Sequence, residues 1–205
     1  MERTLFCAVA IDDVRDVFRA PPELAARLRA VAAEAFAPPT PAKRGWLGPL
    51  TKRHRPTEVD PSVPSSPDVQ ALLTGAYVPP DRQRQSWILL NLWLLSLSKA
   101  TAAVALDPDG WVAVEWELAR AGLNSDYAVR SLFDRPLALP LPPLRGQVAG
   151  YAKHVHAVET LDALAEAAAR ADLSPEGRDA VASVVGVLRA AAEHELDVVV
   201  VGAPD

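Results

Sequence analysis

The sequence predicts a helix-rich α+β domain. Apolar, strand-compatible runs lie near both ends and in the middle of the chain, and helical periodicities fill the intervals unevenly. This order differs from the regular alternation of strand and helix in α/β folds. Half of the 205 residues are apolar and 23% are charged, as in ordinary globular proteins. We therefore expect one domain over residues 1–205, with a mixed sheet that uses strands from both chain ends and with several packed helices.

The chain opens with a strand followed by two helices. Residues Thr4 to Ile11 form a strand-compatible run, and Asp12 can cap a short helix directly after it. After Pro22, apolar side chains recur at helical spacing, namely Leu24, Leu28, Val31, Ala32 and Ala35. This second helix should stop before Pro38, because the residue before a proline is biased away from helical conformation.

Two more helices and a strand should follow a proline-rich tract at residues 38–67. Ser66 begins the first of these helices, since serine followed by proline is a common helix start, and Gly75 closes it. From Asp81 onwards the chain is apolar around most of a helical circumference, which is typical of a helix packed on several sides. Thr101 to Leu106 favours a strand.

The segment after this strand leaves two alternatives open. Residues 107–110, Asp-Pro-Asp-Gly, are typical of a tight turn with proline at its second position. Residues 111–121 then form either the second strand of a hairpin or a helix. We favour a helix from Glu115 to Ala121, because Gly122 and Leu123 match a glycine C-cap with its apolar contact.

The last third of the chain should contain two strands and two helices. Leu137 to Leu144 alternates leucine with proline, which indicates an edge strand or an extended connector. Val148 to Val155 is predicted to be a strand, and helices should begin near Thr160 and at Ser174. Val198 to Val201 is a continuous apolar run, which predicts a strand buried on both faces.

The proline-rich tract at residues 38–67 is the most distinctive part of the sequence. It holds eight of the nineteen prolines and has no helical or strand periodicity. Its basic and aromatic residues are Lys43, Arg44, Trp46, Lys52, Arg53 and Arg55. A structureless stretch of this length in a compact domain is commonly a functional loop or a linker. The tract is therefore our first candidate for a binding site.

Three interpretations of this tract compete. A tryptophan among arginines is typical of a protein interface, whereas the same residues could hold a phosphate backbone while the indole stacks on a base. In the third, the charges are merely solvated and Trp46 and Leu50 pin the loop to the domain. The net charge of −5 makes nucleic acid the less favoured ligand. We therefore predict a binding module that contacts a protein partner through this loop.

A histidine pair supports a different function. On the predicted strand, His154 and His156 would face the same side and could share a metal or a substrate. Candidate carboxylate partners are Glu115, Glu117 and Asp126, although a zinc site needs a third protein ligand and no nearby residue supplies one. A small metal-dependent or histidine-using hydrolase is therefore the alternative function. The preferred binding function requires no metal and no other cofactor.

Other reactive groups lack the surroundings that catalysis needs. The sequence contains no P-loop, no G-x-G-x-x-G turn and no G-x-S-x-G elbow. Cys7 lies in an apolar run, so we expect a buried thiol. Four tryptophans on or beside the most apolar helix are interpreted as core residues: Trp87, Trp93, Trp111 and Trp116.

The chain ends and the hydropathy indicate a cytoplasmic protein. The acidic N-terminus has too short an apolar stretch for a secretory signal, and one cysteine cannot form an intramolecular disulfide. Polar residues interrupt the most apolar stretch, Trp87 to Leu106, so we expect no membrane span. The arginine-rich and alanine-rich composition suggests a bacterial source.

The order of these elements resembles the uncharacterised YfbM-like bacterial proteins and their actinobacterial relatives. The resemblance covers most of the chain and rests on its first strand, the helix after Pro22, the apolar helix with Trp87 and Trp93, the leucine-proline connector leading to Gly150-Tyr151, and the final helix leading to the valine strand. It implies a small, cytosolic α+β protein and supplies no catalytic residues. The basic proline tract departs from that pattern.

Overall fold

The computed structural model describes residues 3–36 and 62–202, and this part of the chain has the predicted helix-rich α+β fold. Its strands are β1 (Thr4–Ala8), β2 (Ala100–Val104), β3 (Arg135–Pro136), β4 (Ala149–Ala152) and β5 (Val198–Val201). Its helices are α1 (Ile11–Asp16), α2 (Pro22–Ala35), α3 (Ser66–Thr74), α4 (Gln83–Leu97), α5 (Pro108–Arg120), α6 (His154–Ala168) and α7 (Pro175–Glu193). Short 3-10 turns occupy 80–82, 125–127 and 129–133.

The strands form one sheet in the order β2-β1-β5-β4-β3. We expected a mixed sheet, but every neighbouring pair among the described strands is antiparallel. The first and last strands lie side by side, with Leu5 opposite Val201 and Ala8 opposite Val198. All four valines of β5 are buried, as predicted for this run, because β5 is the central strand.

Helices cover both faces of the sheet and create two apolar cores. Cys7 and Val199 face the core formed with α1 to α4. Phe6 and Val200 face the core formed with α5, α6 and α7. Because side chains alternate along a strand, neighbouring residues of β1 and β5 supply the two cores in turn. No helix in the described part of the chain is long and apolar enough to cross a membrane.

The predicted tight turn at residues 107–110 is wrong, because these residues begin α5. The Asp107 carboxylate accepts a hydrogen bond from the Gly110 amide at 2.7 Å, so Asp107 is the N-cap and Pro108 the first helical residue. The helix alternative for 111–121 is therefore correct. Its predicted C-cap is also confirmed: Gly122 has φ 98°, and the Leu123 amide donates to the Leu118 carbonyl at 3.0 Å.

Two other predicted boundaries are wrong because one distant carboxylate caps two helices. The strand expected to reach Val155 ends at Ala152, and the helix expected near Thr160 begins at His154. Asp197, just before β5, accepts hydrogen bonds from the Ile11 amide at 2.9 Å and from the His154 amide at 3.0 Å. The predicted cap of α1, Asp12, instead lies exposed in the first turn.

The start of α3 is anchored by a buried acid. Ser65, rather than the predicted Ser66, is the N-cap, and it forms a capping box with Asp68. Arg82 forms an ion pair and hydrogen bonds with the same carboxylate. Burial raises the pKa of Asp68, but hydrogen bonds from Arg82 and Ser65 outweigh it and place the pKa below 3.8. Gly75 closes the helix as predicted, with φ 66°.

The indoles of α4 confirm their predicted core position. Trp87 and Trp93 are buried, and each donates its indole N–H to a backbone carbonyl at 3.0 Å, those of Pro142 and Leu28 respectively. The leucine-proline segment is the predicted connector, and its Leu137 and Leu141 are buried in the same core. The hydrogen bond from the Trp87 indole to the Pro142 carbonyl thus holds the connector against α4.

Replacing Asp197 tests the shared cap. We expect Asp197→Ala to lower the free energy of unfolding by about 3 kcal/mol, because two helix amides and a lysine lose their acceptor. Asp13→Ala is the matched control, since Asp13 lies exposed in the first turn of α1 and should contribute less than about 1 kcal/mol. Urea unfolding measures both. Equal losses for the two variants would contradict the shared-cap assignment.

The Asp68 site should make stability depend on pH. A carboxyl whose pKa falls on folding stabilises the protein above its unfolded pKa, and this contribution disappears as pH falls through the lower folded value. We therefore expect the stability gap between the wild type and Asp68→Asn to be constant near neutral pH and to shrink below pH 3.8. Urea unfolding across acidic pH measures the gap. A gap that widens with acidity would contradict the assignment.

Candidate functional site

The basic residues predicted to bind a partner lie outside the described part of the chain. They are Lys43, Arg44, Trp46, Lys52, Arg53 and Arg55. A groove of about 620 Å³ between α2 and α3 has Phe36 and Pro64 in its walls. Phe36 directly precedes residues 37–61, and Pro64 follows them by three positions. The binding role of the basic tract stays a prediction.

The two histidines do not share a face. Both lie in the first turn of α6, where residues two apart differ by about 200° around the helix axis. His156 stacks on Tyr127, with 6.0 Å between ring centroids, and its Nε2 lies 3.0 Å from the Ser131 hydroxyl. His154 has a buried Nδ1 without a hydrogen-bond partner in the described structure. The two imidazoles therefore lack the common face that a shared metal or substrate would require.

Two of the three carboxylates proposed as partners of these histidines form ion pairs with arginines, and the third, Asp126, is exposed. Glu115 forms an ion pair with Arg130, and Glu117 forms one with Arg120. Within residues 3–36 and 62–202, no group of three or more histidine, cysteine or acidic side chains is arranged to hold a metal ion.

The contact between Ser131 and His156 has the geometry of a structural hydrogen bond rather than of a catalytic pair. The Ser131 hydroxyl lies 2.7 Å from the Ala128 carbonyl, to which it can only donate. Since a hydroxyl has one proton, Ser131 must then accept from His156, which is the opposite of what a general base does. Ser131 is also buried. The pair joins the 3-10 segment at residues 129–133 to α6.

Cys7 is equally unsuited to nucleophilic chemistry. The side chain is fully buried in the sheet core, as predicted. Burial raises the pKa of its thiol to about 11, although a hydrogen bond with Ser98 opposes the shift. A thiol with this pKa is almost entirely protonated at neutral pH, and the thiolate is the nucleophilic form.

Helix α5 exposes a stripe of apolar side chains to solvent. Val112, Ala113, Trp116 and Ala119 face solvent at helical spacing, whereas Val114 and Leu118 face the core. Trp116 is 65% exposed and Val112 is 68% exposed, so the interpretation of Trp116 as a core residue is wrong. A helix that is apolar on two sides usually packs on both. One side of α5 packs against the domain, and the other is free in the described structure.

A groove of about 620 Å³ runs beside this exposed stripe. We call it the α5 groove; its residues are Asp109, Val112, Ala113, Glu115, Trp116, Ala119, Leu123, Asn124, Ser125, Ala128 and Arg130. Residues 123–130 form the wall opposite α5. Glu115 joins the two walls, because its carboxylate accepts from the Arg130 amide at 3.1 Å and pairs with the Arg130 guanidinium at 3.4 Å. The groove is therefore preformed.

A smaller recess lies beside the α5 groove, on the side of the sheet. It has a volume of about 240 Å³ and shares Val112, Glu115 and Arg130 with the groove. Its other walls are mainly apolar and include Phe6 and Trp111, whose rings lie 6.1 Å apart. The two spaces are therefore neighbours, and the Glu115–Arg130 ion pair borders both.

The charge of the α5 groove is slightly acidic. Its walls contain the carboxylates of Asp109 and Glu115 and the guanidinium of Arg130. Glu115 and Arg130 neutralise each other, whereas Asp109 has no ion pair within the described residues. A ligand that places a cation near Asp109 and apolar groups along α5 would match both properties.

The sequence contained a signal for this groove, a second row of apolar residues along α5. The interpretation of all four tryptophans as core residues concealed it. Val112, Trp116 and Ala119 follow helical spacing, as do Val114 and Leu118 on the other side. One of two apolar stripes on a helix can be assigned to a binding partner only when the other is known to pack against the core. The sequence alone does not show which stripe of α5 packs against the core.

Comparison with protein-family models, with curated proteins and with solved structures gives no match to this chain. The resemblance to YfbM-like proteins therefore stays a prediction.

Proposed function

We propose that this protein is a non-enzymatic binding module that holds a segment of a protein partner in the α5 groove. The segment presents apolar side chains to Val112 and Trp116 and a basic residue to Asp109. The observation that carries the proposal is the exposed Trp116 beside a preformed groove. The cytoplasm is the proposed location.

The energetics of interfaces support a role for Trp116. A few residues carry most of the binding energy at protein interfaces, and tryptophan is prominent among them. An exposed indole loses much apolar surface to a partner, while its ring needs little ordering because it has only two side-chain torsions. The rim carboxylate of Asp109 contributes mainly to the choice of partner.

The hydrolase alternative has weaker support. His154 and His156 point away from one another, and His156 is engaged by Ser131 and Tyr127. The α5 groove contains neither histidine nor cysteine, and its one serine, Ser125, lies within 3.4 Å of the Asn124 side chain rather than beside a base. A binding role accounts for the apolar walls without requiring a reacting group.

Replacing Trp116 tests the groove. The probe is a library of short random peptides selected on the wild-type protein, from which we expect sequences that combine apolar or aromatic residues with lysine or arginine. Trp116→Ala should weaken the selected peptides by about 2 kcal/mol, or roughly thirtyfold in Kd. It should change stability little, because the side chain is 65% exposed. Isothermal calorimetry measures the affinities.

Tyr77→Ala is the matched control, since Tyr77 is the most exposed aromatic side chain described, at 80%, and lies outside the α5 groove. It should leave peptide affinity unchanged. The proposal would be wrong if the selected peptides bound Trp116→Ala as tightly as the wild type, or if selection gave no common pattern.

The basic tract at residues 38–67 is a second proposed contact surface of the same binding module. Its five cations should bind an acidic surface, so their replacement by glutamine should lower the salt concentration that elutes the protein from an anionic resin. The replaced residues are Lys43, Arg44, Lys52, Arg53 and Arg55. The control replaces exposed arginines of the described domain, Arg84, Arg145 and Arg189. Equal elution of the wild type and the tract variant would exclude both electrostatic interpretations of the tract.

A further inference from the structure

We propose that the open edge of the sheet, at β2, pairs with β2 of a second copy of this chain and forms a symmetric dimer. This surface is separate from the α5 groove, and the inference does not depend on the proposed function. The two copies would join their sheets into one, with β2 antiparallel to its symmetry mate.

The two edges of the sheet are built differently. The β3 edge is only two residues long and consists of Arg135 and Pro136, both exposed. Short length, charge and proline are features that prevent an edge from pairing with another chain. The β2 edge is five residues long, Ala-Thr-Ala-Ala-Val, and has no charge and no proline. One edge is protected against pairing and the other is not.

The β2 edge has room for a partner strand. Thr101 and Ala103 are exposed, and β1 is the only described strand paired with β2. In an antiparallel ladder, alternate residues of an edge strand direct their amides and carbonyls outward. A second strand would satisfy these groups, which is the basis of strand addition.

The residues of β2 are complementary to their own symmetry copy. A two-fold axis at Ala102 places Thr101 opposite Ala103 of the other copy, and Ala100 opposite its Val104. Side chains project above and below the sheet, and four of the five in each strand are alanine or threonine, so cross-strand neighbours on each face fit without crowding. A single symmetric register therefore pairs the whole strand.

The helix beside β2 also permits close approach. Along the flank of α7 that borders β2, Ser183, Gly186 and Ala190 recur at helical spacing, and Ser183 lines a recess with Ala103 and Val104. A Cβ added to Gly186 would meet no atom within 4 Å. The antiparallel arrangement brings the two α7 helices together through this small-residue flank, which allows short helix-to-helix distances.

Charges at the two ends of β2 match in the same arrangement. Lys99 precedes the strand, is exposed and has no ion pair in the described structure. Glu176 and Asp179 line a recess of about 230 Å³ beside the other end of the strand, at Val104 and Ala105. Antiparallel pairing brings the Lys99 end of each copy next to the carboxylate end of the other, which favours the two-fold arrangement.

Charge-swapped variants of the full chain test both the dimer and its register. We expect sedimentation equilibrium to give twice the chain mass for the wild type and a monomer mass for Thr101→Lys/Ala103→Lys, because lysines would then stand opposite lysines across the axis. Thr101→Glu/Ala103→Glu should also be monomeric. An equimolar mixture of the two variants should recover the dimer mass, since each lysine then faces a glutamate.

The control is Ala26→Lys/Ala30→Lys, which adds the same charge to exposed positions of α2 and should remain dimeric. Circular dichroism melting confirms that each variant is folded. A wild type that stays monomeric as concentration rises would overturn the proposal, as would dimers of the lysine variant. Strong hydrogen-exchange protection of the outward β2 amides in a monomeric wild type would show that another part of the chain covers this edge, and would overturn it too.

Discussion

The carboxylate of Asp197 is the point at which the two helical layers and the sheet meet. Its oxygens accept from the first amides of α1 and α6 and from Lys153, while its backbone carbonyl accepts from the Val9 amide. Because β1 and β4 flank β5, the chain leaves both strands beside the residue that precedes β5. A buried carboxylate is costly without donors, so these contacts require β1, β4 and β5 to be assembled together.

The parts of the fold that the sequence predicts correctly have local causes. Gly75 and Gly122 close helices because a left-handed residue is needed there, and Ser174 begins α7 with its side chain on the Gly177 amide. The boundaries that the sequence misses have distant causes. His154 begins a helix because Asp197, 43 residues later, accepts its amide, and no pattern within a window of neighbouring residues contains that information.

The candidate site was hidden for a related reason. Residues 107–110 satisfy the requirements of a tight turn and those of a helix start, since aspartate caps both and proline fits the second position of both. A turn at these residues would leave a shorter helix that lacks Val112 and Ala113. The exposed stripe becomes visible only when the whole helix is present and its core side is known.

If β2 pairs two chains, each dimer carries two α5 grooves, and a partner with two matching segments would gain avidity.

The position of β5 has a consequence for how the protein is made. β5 is the last strand of the described chain, yet it lies at the centre of the sheet and separates β1 from β4. On the ribosome, β1 can pair with β2 once residue 104 has emerged, but β1 and β4 have no common neighbour until residues 198–201 have been synthesised. Until then the edge of β1 that will face β5 is unpaired and apolar, a state that favours aggregation and chaperone binding.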